Sequence, residues 1–218
     1  MGGTIPKQYQ LINGLPILRH TLERVGVLPQ ITTIVVALSP KDQWWPAVLA
    51  ALPPPIKKKL VTTPGGKERS DSVLNGLLAL QAVAEPDDFV LVHDAVRPCV
   101  RLDDIEHLMR EIDGNCAGGL LATPVRDTLK RETGTGVVAQ TVARTQLWSA
   151  ATPQMFKIRV LRAALEHVLQ VQRPVTDEAE AVELLGHQVR LVQGSADNIK
   201  VTYPDDLELA SLILGAAR

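Results

Sequence analysis

The sequence predicts an α/β fold in which a mainly parallel β-sheet is flanked by helices. Three apolar runs rich in β-branched residues, at 31–38, 88–93 and 119–125, are typical of strands buried on both faces. Amphipathic helical patterns lie between these runs. Strands that alternate with helices favour a parallel sheet covered on both sides. At 218 residues, the chain is long enough to form one domain with its own core.

The helices follow from apolar residues at helical spacing. In the segment 15–25, residues Leu15, Leu18, Leu22 and Val25 share one face. The later elements expected in chain order are helices at 69–83 and 103–112, helices at 158–171 and 177–185, a strand at 189–192 and a closing helix from Pro204.

Residues 127–144, which we call the arm, interrupt this alternation. Two short runs, 129–132 and 137–142, flank the segment Thr133-Gly-Thr-Gly136, and this pattern predicts a β-hairpin. A hairpin that projects from an α/β domain has an exposed edge and apolar side chains to cover. A partner subunit is the simplest cover, so we expect the arm to mediate dimerisation.

Composition excludes several classes of function. A formal net charge of −1 gives no support for a polyanion partner, and an aromatic content of 3% argues against stacking platforms for nucleic acid. The longest apolar runs are too short to span a membrane, and the N-terminus shows no signal pattern, so we expect a cytoplasmic protein. Cys99 and Cys116 fit no metal-binding spacing and are expected to be free thiols.

Polar residues cluster just after the strands, where ligands bind in folds of this type. Lys7, in the segment Pro6-Lys-Gln-Tyr9, precedes the first helix and has an ordinary alternative as a solvated lysine. The segment 65–72 places two glycines before a helix, where backbone N–H groups favour anions. Its ordinary alternative is a helix start with Ser72 facing solvent.

The segment 93–98 follows the most apolar strand. Asp94 and Arg97 are hard to explain there as packing residues, because charged groups avoid interiors unless they are paired. An Asp94–Arg97 ion pair that closes the loop is the alternative. His93 is more often a structural histidine than a catalytic one.

A fourth group of polar residues is dispersed along the chain, at 124–128, Arg144, 152–154, 176–177 and 197–202. Its threonines and cations suit a phosphate monoester, for which they supply hydroxyl donors and positive charge. Thr176-Asp-Glu-Ala179 can also be read as a helix N-cap with an acidic first turn. Motifs for serine hydrolases, zinc proteases and Walker-type loops are missing from the sequence. The residues alone therefore indicate a phosphate-handling α/β domain.

The motifs together resemble the 2-C-methyl-D-erythritol 4-phosphate cytidylyltransferases. They occur in that family's order and spacing over nearly the whole chain. They are Pro6-Lys-Gln-Tyr9, Gly65-Gly-x-Glu-Arg69 with Ser72-Val73, His93-Asp-Ala-x-Arg-Pro98, Pro124-Val-x-Asp-Thr128, Thr152-Pro-Gln154, Thr176-Asp-Glu-Ala179 and Asp197-Asn-x-Lys-Val-Thr202.

The resemblance implies a Rossmann-like nucleotidyltransferase domain over residues 1–218 and a homodimer in which the arms interlock. It implies Mg²⁺-dependent transfer of CMP from CTP to 2-C-methyl-D-erythritol 4-phosphate. Lys7 matches the catalytic lysine. The residues matching the CTP site are Gly66, Ser72, Asp94 and Ala95, and those matching the methylerythritol phosphate site are Asp94, Arg97, Thr128, Arg144, Thr152 and Lys200, with Thr128 and Arg144 coming from the partner's arm. No metal ligand is assigned.

The beginning of the sequence departs from this family pattern. Members of the family start with an apolar strand and a glycine-rich loop, A-A-G-x-G-x-R-M, that closely precedes the P-K-Q-Y motif. Here Met1 falls where the methionine of that loop would be. We therefore expect an N-terminally truncated domain that lacks a central strand, backbone donors for the triphosphate and a catalytic arginine, with weak or absent turnover of CTP.

Two other functions stay open from the sequence. One is a cytidylyltransferase for another polyol phosphate, such as ribitol 5-phosphate, because the phosphate-binding residues do not name a carbon skeleton. The other is a catalytically silent dimer that binds nucleotide or protein.

Overall fold

The computed structural model describes residues 5–112 and 116–216. Met1, on which the expected truncation depends, lies outside these residues. The strands are β1 Leu11–Ile12, β2 Leu15–Pro16, β3 Ile34–Leu38, β4 Leu60–Pro64, β5 Phe89–Val92, β6 Gly118–Pro124, β7 Leu129–Glu132, β8 Val138–Val142, β9 Trp148–Lys157 and β10 Arg190–Gln193. The helices are α1 Ile17–Gly26, α2 Trp45–Ala51, α3 Pro54–Lys57, α4 Arg69–Leu80, α5 Leu102–Glu111, α6 Ile158–Gln170, α7 Glu178–Leu184 and α8 Pro204–Ala216, with a 3₁₀ turn at Lys7–Tyr9.

These elements confirm the α/β fold and the hairpin arm. The predicted helices and strands all occur, with ends displaced by at most three residues; α1, for example, begins after Pro16 rather than at Leu15. The segments β1, β2, β4, β9, α2 and α3 were not predicted. In β4 and β9, proline and threonine weaken the apolar pattern of a strand.

The sheet is mixed rather than mainly parallel. Four strands pair in the order β10-β6-β9-β5; β10 and β6 are parallel, whereas β9 is antiparallel to both of its neighbours. A separate parallel pair, β3-β4, lies beside them. The insertion of β9 is possible because the arm reverses the chain between β6 and β9.

Alternation along the central strands builds a core on each face of the sheet. Leu120 and Phe156 pack with α6 and α7, whereas their neighbours Leu121 and Met155 pack with α5 on the other face. The side chains of all four residues are at most 6% exposed. Among the described residues, no helix is both long enough and apolar enough to span a lipid bilayer.

A gap separates β3 from β5, which we call the apolar slot. Its volume is about 900 Å³. Residues of β3 and β5 form its sides, α1 and α4 cover it with side chains such as Leu22 and Leu77, and α5 adds Ile105. Within the described residues, β3 pairs only with β4 and β5 only with β9, so each strand has one unpaired edge at the slot. Residues Phe89–Val92 are consequently only half-buried.

Candidate active site

Asp94 lies at the centre of a cluster of charged side chains, two residues beyond the end of β5. Its Oδ1 is 3.3 Å from the Arg69 guanidinium, and its Oδ2 is 3.3 Å from Arg97 Nε and 3.1 Å from Lys200 Nζ. Burial acts to raise the pKa of Asp94, but the three cations outweigh it and lower that pKa. Asp94 is thus an anion that holds three cations around one small space.

Backbone and hydroxyl contacts hold this cluster on the strand ends. Asp94 N donates to Thr152 Oγ1 of β9 at 2.9 Å. Arg97 Nη1 donates to the carbonyl of Asn198 at 2.7 Å, and the Asn198 side chain donates to the carbonyl of Thr152 at 2.8 Å. Three segments that are distant in sequence therefore lock together at one end of the sheet.

His93 has a structural place in this arrangement. Its Nδ1 lies 3.0 Å from Thr152 Oγ1, and its Nε2 lies 3.1 Å from the carbonyl of Arg97. Because a carbonyl only accepts, Nε2 carries the proton and Nδ1 accepts from the hydroxyl. Burial lowers the pKa of His93 to about 4, so the ring is neutral at pH 7.

A polar cavity of about 240 Å³ opens beside Asp94. Four of the residues predicted to bind substrate line it: Asp94, Arg97, Thr152 and Lys200. The lining also contains polar side chains to which the resemblance assigned no binding role: Arg69, Gln154, Thr176 and Asp177. Gln154 is 1% exposed and joins β9 to α7, since it donates to Asp177 Oδ2 and accepts from Ala179 N, both at 2.9 Å.

Two of the residues predicted on the nucleotide side, Gly66 and Ser72, lie around the start of α4, whereas Asp94 and Ala95 lie in the loop after β5. Gly66 N donates to Ser72 Oγ at 2.9 Å, which closes the loop between β4 and α4. A Cβ on Gly66 would stand 2.1 Å from the Cβ of Asp71, so only glycine fits there. Ala95 accepts a 2.8 Å hydrogen bond from Thr21 Oγ1 of α1, which ties the loop after β5 to that helix.

Lys7 is exposed on the 3₁₀ turn, which its neighbour Tyr9 anchors. Tyr9 is 5% exposed, stacks on Trp44 and donates to Asp42 Oδ2 at 2.7 Å. Asp42 Oδ1 in turn accepts from the backbone N of Trp44 and Trp45 at the start of α2. The turn that carries Lys7 is therefore fixed although Lys7 itself faces solvent.

Thr128 and Arg144 are not brought to the polar cavity of their own chain. Thr128 immediately precedes β7 and Arg144 follows β8 by two residues, so both lie at the base of the arm. Both are exposed, and neither lines the cavity as the structure describes it. The arm's own β7–β8 pairing leaves Val137 and Val138 60% and 57% exposed.

The described residues do not form a protein-only metal site. No group of three or more histidine, cysteine, aspartate or glutamate side chains within residues 5–112 and 116–216 is arranged to hold a metal ion. The best-placed carboxylate, Asp94, already has both oxygens engaged by cations. The described side chains therefore do not fit a resident divalent cation.

Comparisons with known proteins agree with this arrangement of motifs. The family model for 2-C-methyl-D-erythritol 4-phosphate cytidylyltransferase (IspD) matches residues 1–216. The enzyme of that name from Vibrio parahaemolyticus is 48% identical over 213 residues, which is 98% of this chain and 89% of the relative. A crystal structure of 4-diphosphocytidyl-2C-methyl-D-erythritol synthase superposes with a TM-score of 0.85 at 38% identity, over 96% of this chain and 95% of the other.

A second solved structure, 2-C-methyl-D-erythritol 4-phosphate cytidylyltransferase from Francisella tularensis, gives a TM-score of 0.83 at 36% identity, over 97% of this chain and 94% of its own. The expected absence of an N-terminal strand and loop stays a prediction. The chain belongs to the 2-C-methyl-D-erythritol 4-phosphate cytidylyltransferase family.

Proposed function

We propose that this protein transfers CMP from CTP to 2-C-methyl-D-erythritol 4-phosphate, giving the CDP-methylerythritol and pyrophosphate. The observation that carries the proposal is the polar cavity, where Asp94, Arg97, Thr152 and Lys200 converge from three segments. The cations Arg97 and Lys200 and the Thr152 hydroxyl line this cavity, a combination that suits a phosphate monoester, and Asp94 can accept from a polyol hydroxyl.

The reaction needs little covalent help from the protein. A phosphate oxygen of the polyol phosphate attacks the α-phosphorus of CTP; a new P–O bond forms while the bond to the bridging oxygen breaks, and its electron pair leaves with pyrophosphate. Positioning and charge neutralisation do most of the work in such transfers. We assign Lys7 to the charge that builds on the α-phosphate and Gly66, Ser72, Asp94 and Ala95 to CTP. Mg²⁺ enters as part of the substrate, bound to the triphosphate of CTP.

We also propose a homodimer in which each arm completes the partner's site. Exposed Val137 and Val138 and the placement of Thr128 and Arg144 outside their own chain's cavity support this proposal. Arg144 from the partner would add a fork-shaped donor for the substrate's phosphate.

A further proposal concerns the sheet: the fully active sheet holds one more strand, between β3 and β5. The apolar slot, its two unpaired strand edges and the half-buried residues of β5 support this. A strand there would pair both edges and cover the apolar faces of α1 and α4.

The test is release of pyrophosphate from CTP and Mg²⁺ with 2-C-methyl-D-erythritol 4-phosphate, and with ribitol 5-phosphate as the competing polyol. The chain is compared with a version extended at the N-terminus by an apolar strand and a glycine-rich loop. We expect turnover with methylerythritol phosphate, much higher in the extended version. Preference for ribitol 5-phosphate would reassign the substrate, and no turnover by either folded version would indicate a silent binding module. Equal turnover by both versions would overturn the additional strand.

A further inference from the structure

Glu178 is a buried carboxylate whose presence stability alone does not explain. It is the first residue of α7 and its side chain is 1% exposed. One oxygen pairs with Arg69 Nη1, whereas Oε2 is buried without a hydrogen-bond partner. An unpaired buried oxygen costs free energy, and burial raises the pKa of Glu178. The N-cap of α7 is already supplied by Asp177, so Glu178 is not needed to begin the helix.

The position of Arg69, the partner of Glu178, is likewise unfavourable by local sequence rules. It is the first residue of α4, and a cation is disfavoured at a helix N-terminus. Its guanidinium lies between two anions, with Nη1 on Glu178 and Nη2 at 3.3 Å from Asp94 Oδ1. Burial acts to lower the pKa of Arg69, but these two anions outweigh it and raise that pKa. The guanidinium of Arg69 is thus held by one carboxylate through each of its terminal nitrogens.

These contacts form one continuous chain of ion pairs that leads from Glu178 into the polar cavity. Glu178 holds one edge of Arg69, Arg69 holds Oδ1 of Asp94, and Oδ2 of Asp94 is left to Arg97 and Lys200. If Glu178 lost its charge, the Arg69 guanidinium could rotate and form a bidentate ion pair with both carboxylate oxygens of Asp94. Arg97 and Lys200 would then lose the anion that aligns them.

We propose that Glu178 is a positioning residue: through Arg69 it fixes the Asp94 carboxylate, and through Asp94 it aligns the cations that bind the substrate's phosphate. This rests on the proposed function only in taking Asp94, Arg97 and Lys200 as the binding groups. Preorganised cations bind an anion more tightly than cations that must be ordered on binding.

The experiment is calorimetric binding of 2-C-methyl-D-erythritol 4-phosphate to the wild type and to Glu178→Gln, which keeps the shape and removes the charge. We expect Kd to rise about tenfold, within the usual range of coupling between contacting residues. The control is Glu183→Gln, an exposed glutamate on the same helix, for which we expect an unchanged Kd.

Coupling to Arg69 separates positioning from a merely structural role. We expect Arg69→Gln to weaken binding, and Glu178→Gln in that background to weaken it no further. Additive effects of the two substitutions, or a Kd of Glu178→Gln equal to or below that of the wild type, would overturn the inference. If the wild type itself binds no methylerythritol phosphate, it is the proposed substrate that fails, and the same variants are then measured with ribitol 5-phosphate.

Discussion

Position 66 requires glycine because the side chain of Asp71 lies too close for any Cβ there. A Cβ at this position would meet the Cβ of Asp71 at 2.1 Å, so Gly66→Ala must displace the loop or the start of α4. We expect a loss of about 1–3 kcal/mol in the free energy of unfolding and weaker CTP binding, measured by urea denaturation and calorimetry.

Gly76 supplies the matched control for Gly66→Ala. It lies inside α4, where an added Cβ meets only Val35 Cγ1 at 3.9 Å, an ordinary contact. Because glycine is a poor helix former, Gly76→Ala is expected to raise the free energy of unfolding by about 0.5–1 kcal/mol. Destabilisation by Gly76→Ala, or tolerance of Gly66→Ala, would contradict this account of the loop.

His93 makes stability depend on pH. Its pKa of about 4 in the folded protein lies below the usual histidine value of 6.5, so the folded protein binds fewer protons than the unfolded chain between these pH values. The contribution of neutral His93 to the free energy of unfolding is fully present above pH 6.5. As the pH falls towards 4, that free energy decreases by about 2–3 kcal/mol. Unfolding by urea at pH 7, 5.5 and 4.5 should show this slope in the wild type and a shallower one in His93→Gln. Parallel slopes for the two proteins would show that His93 is not the titrating group.

The motifs predicted the residues that line the polar cavity better than those that support it. Asp94, Arg97, Thr152 and Lys200 converge as expected, because each follows or lies in a strand of one sheet. Glu178 belongs to a motif that local rules also explain as a helix N-cap with an acidic first turn. Its burial depends on how α7 packs against α6 and meets Arg69 and Gln154, and local spacing carries no signal of that packing.

At the scale of elements, the 3₁₀ turn at Lys7–Tyr9 depends on one hydroxyl. Tyr9→Phe keeps the stacking on Trp44 but leaves Asp42 Oδ2 without its donor. We expect a loss of about 1–2 kcal/mol in the free energy of unfolding, together with lower kcat because Lys7 is less well placed. Denaturation and initial-rate measurements test this.

The chain's other tyrosine provides the control for Tyr9→Phe. Tyr203 is 68% exposed, and Tyr203→Phe is expected to change neither stability nor kcat. A Tyr9→Phe protein with wild-type stability would mean that Asp42 holds α2 without help from the turn.

Element patterns predicted most of the fold but missed β9. The segment Trp148–Lys157 carries polar Thr152 and Gln154 among its apolar residues, so its sequence pattern indicates a site motif at 152–154 rather than a strand. In the folded chain the same residues are buried strand positions whose polar groups are satisfied by His93, by the loop after β5 and by the start of α7. One segment therefore serves as both central strand and binding surface, which periodicity alone does not reveal.

At the scale of the whole molecule, the proposed dimer makes a quantitative prediction. If the arm acts across the interface, Asp94→Asn and Arg144→Ala subunits are both inactive alone, but a mixed dimer contains one intact site. Random mixing should restore about one quarter of the wild-type rate. Pyrophosphate release measures this, in whichever version of the chain turns over CTP. Mixtures as inactive as the separate variants would place Arg144 in its own chain's site.

The gap between β3 and β5 also divides the candidate active site between two separate sheets. Gly66 and Ser72 follow the β3-β4 pair, whereas Asp94 and Thr152 belong to the four-stranded sheet, and no strand-to-strand hydrogen bonds join the two sheets within the described residues. Arg69, reaching from α4, ties the two sides together, because its ion pairs reach groups on the far side of the gap. The relative stiffness of the two sides of the candidate site therefore depends in part on α4 and on the ion pairs of Arg69, alongside the hydrogen bond from Thr21 to Ala95.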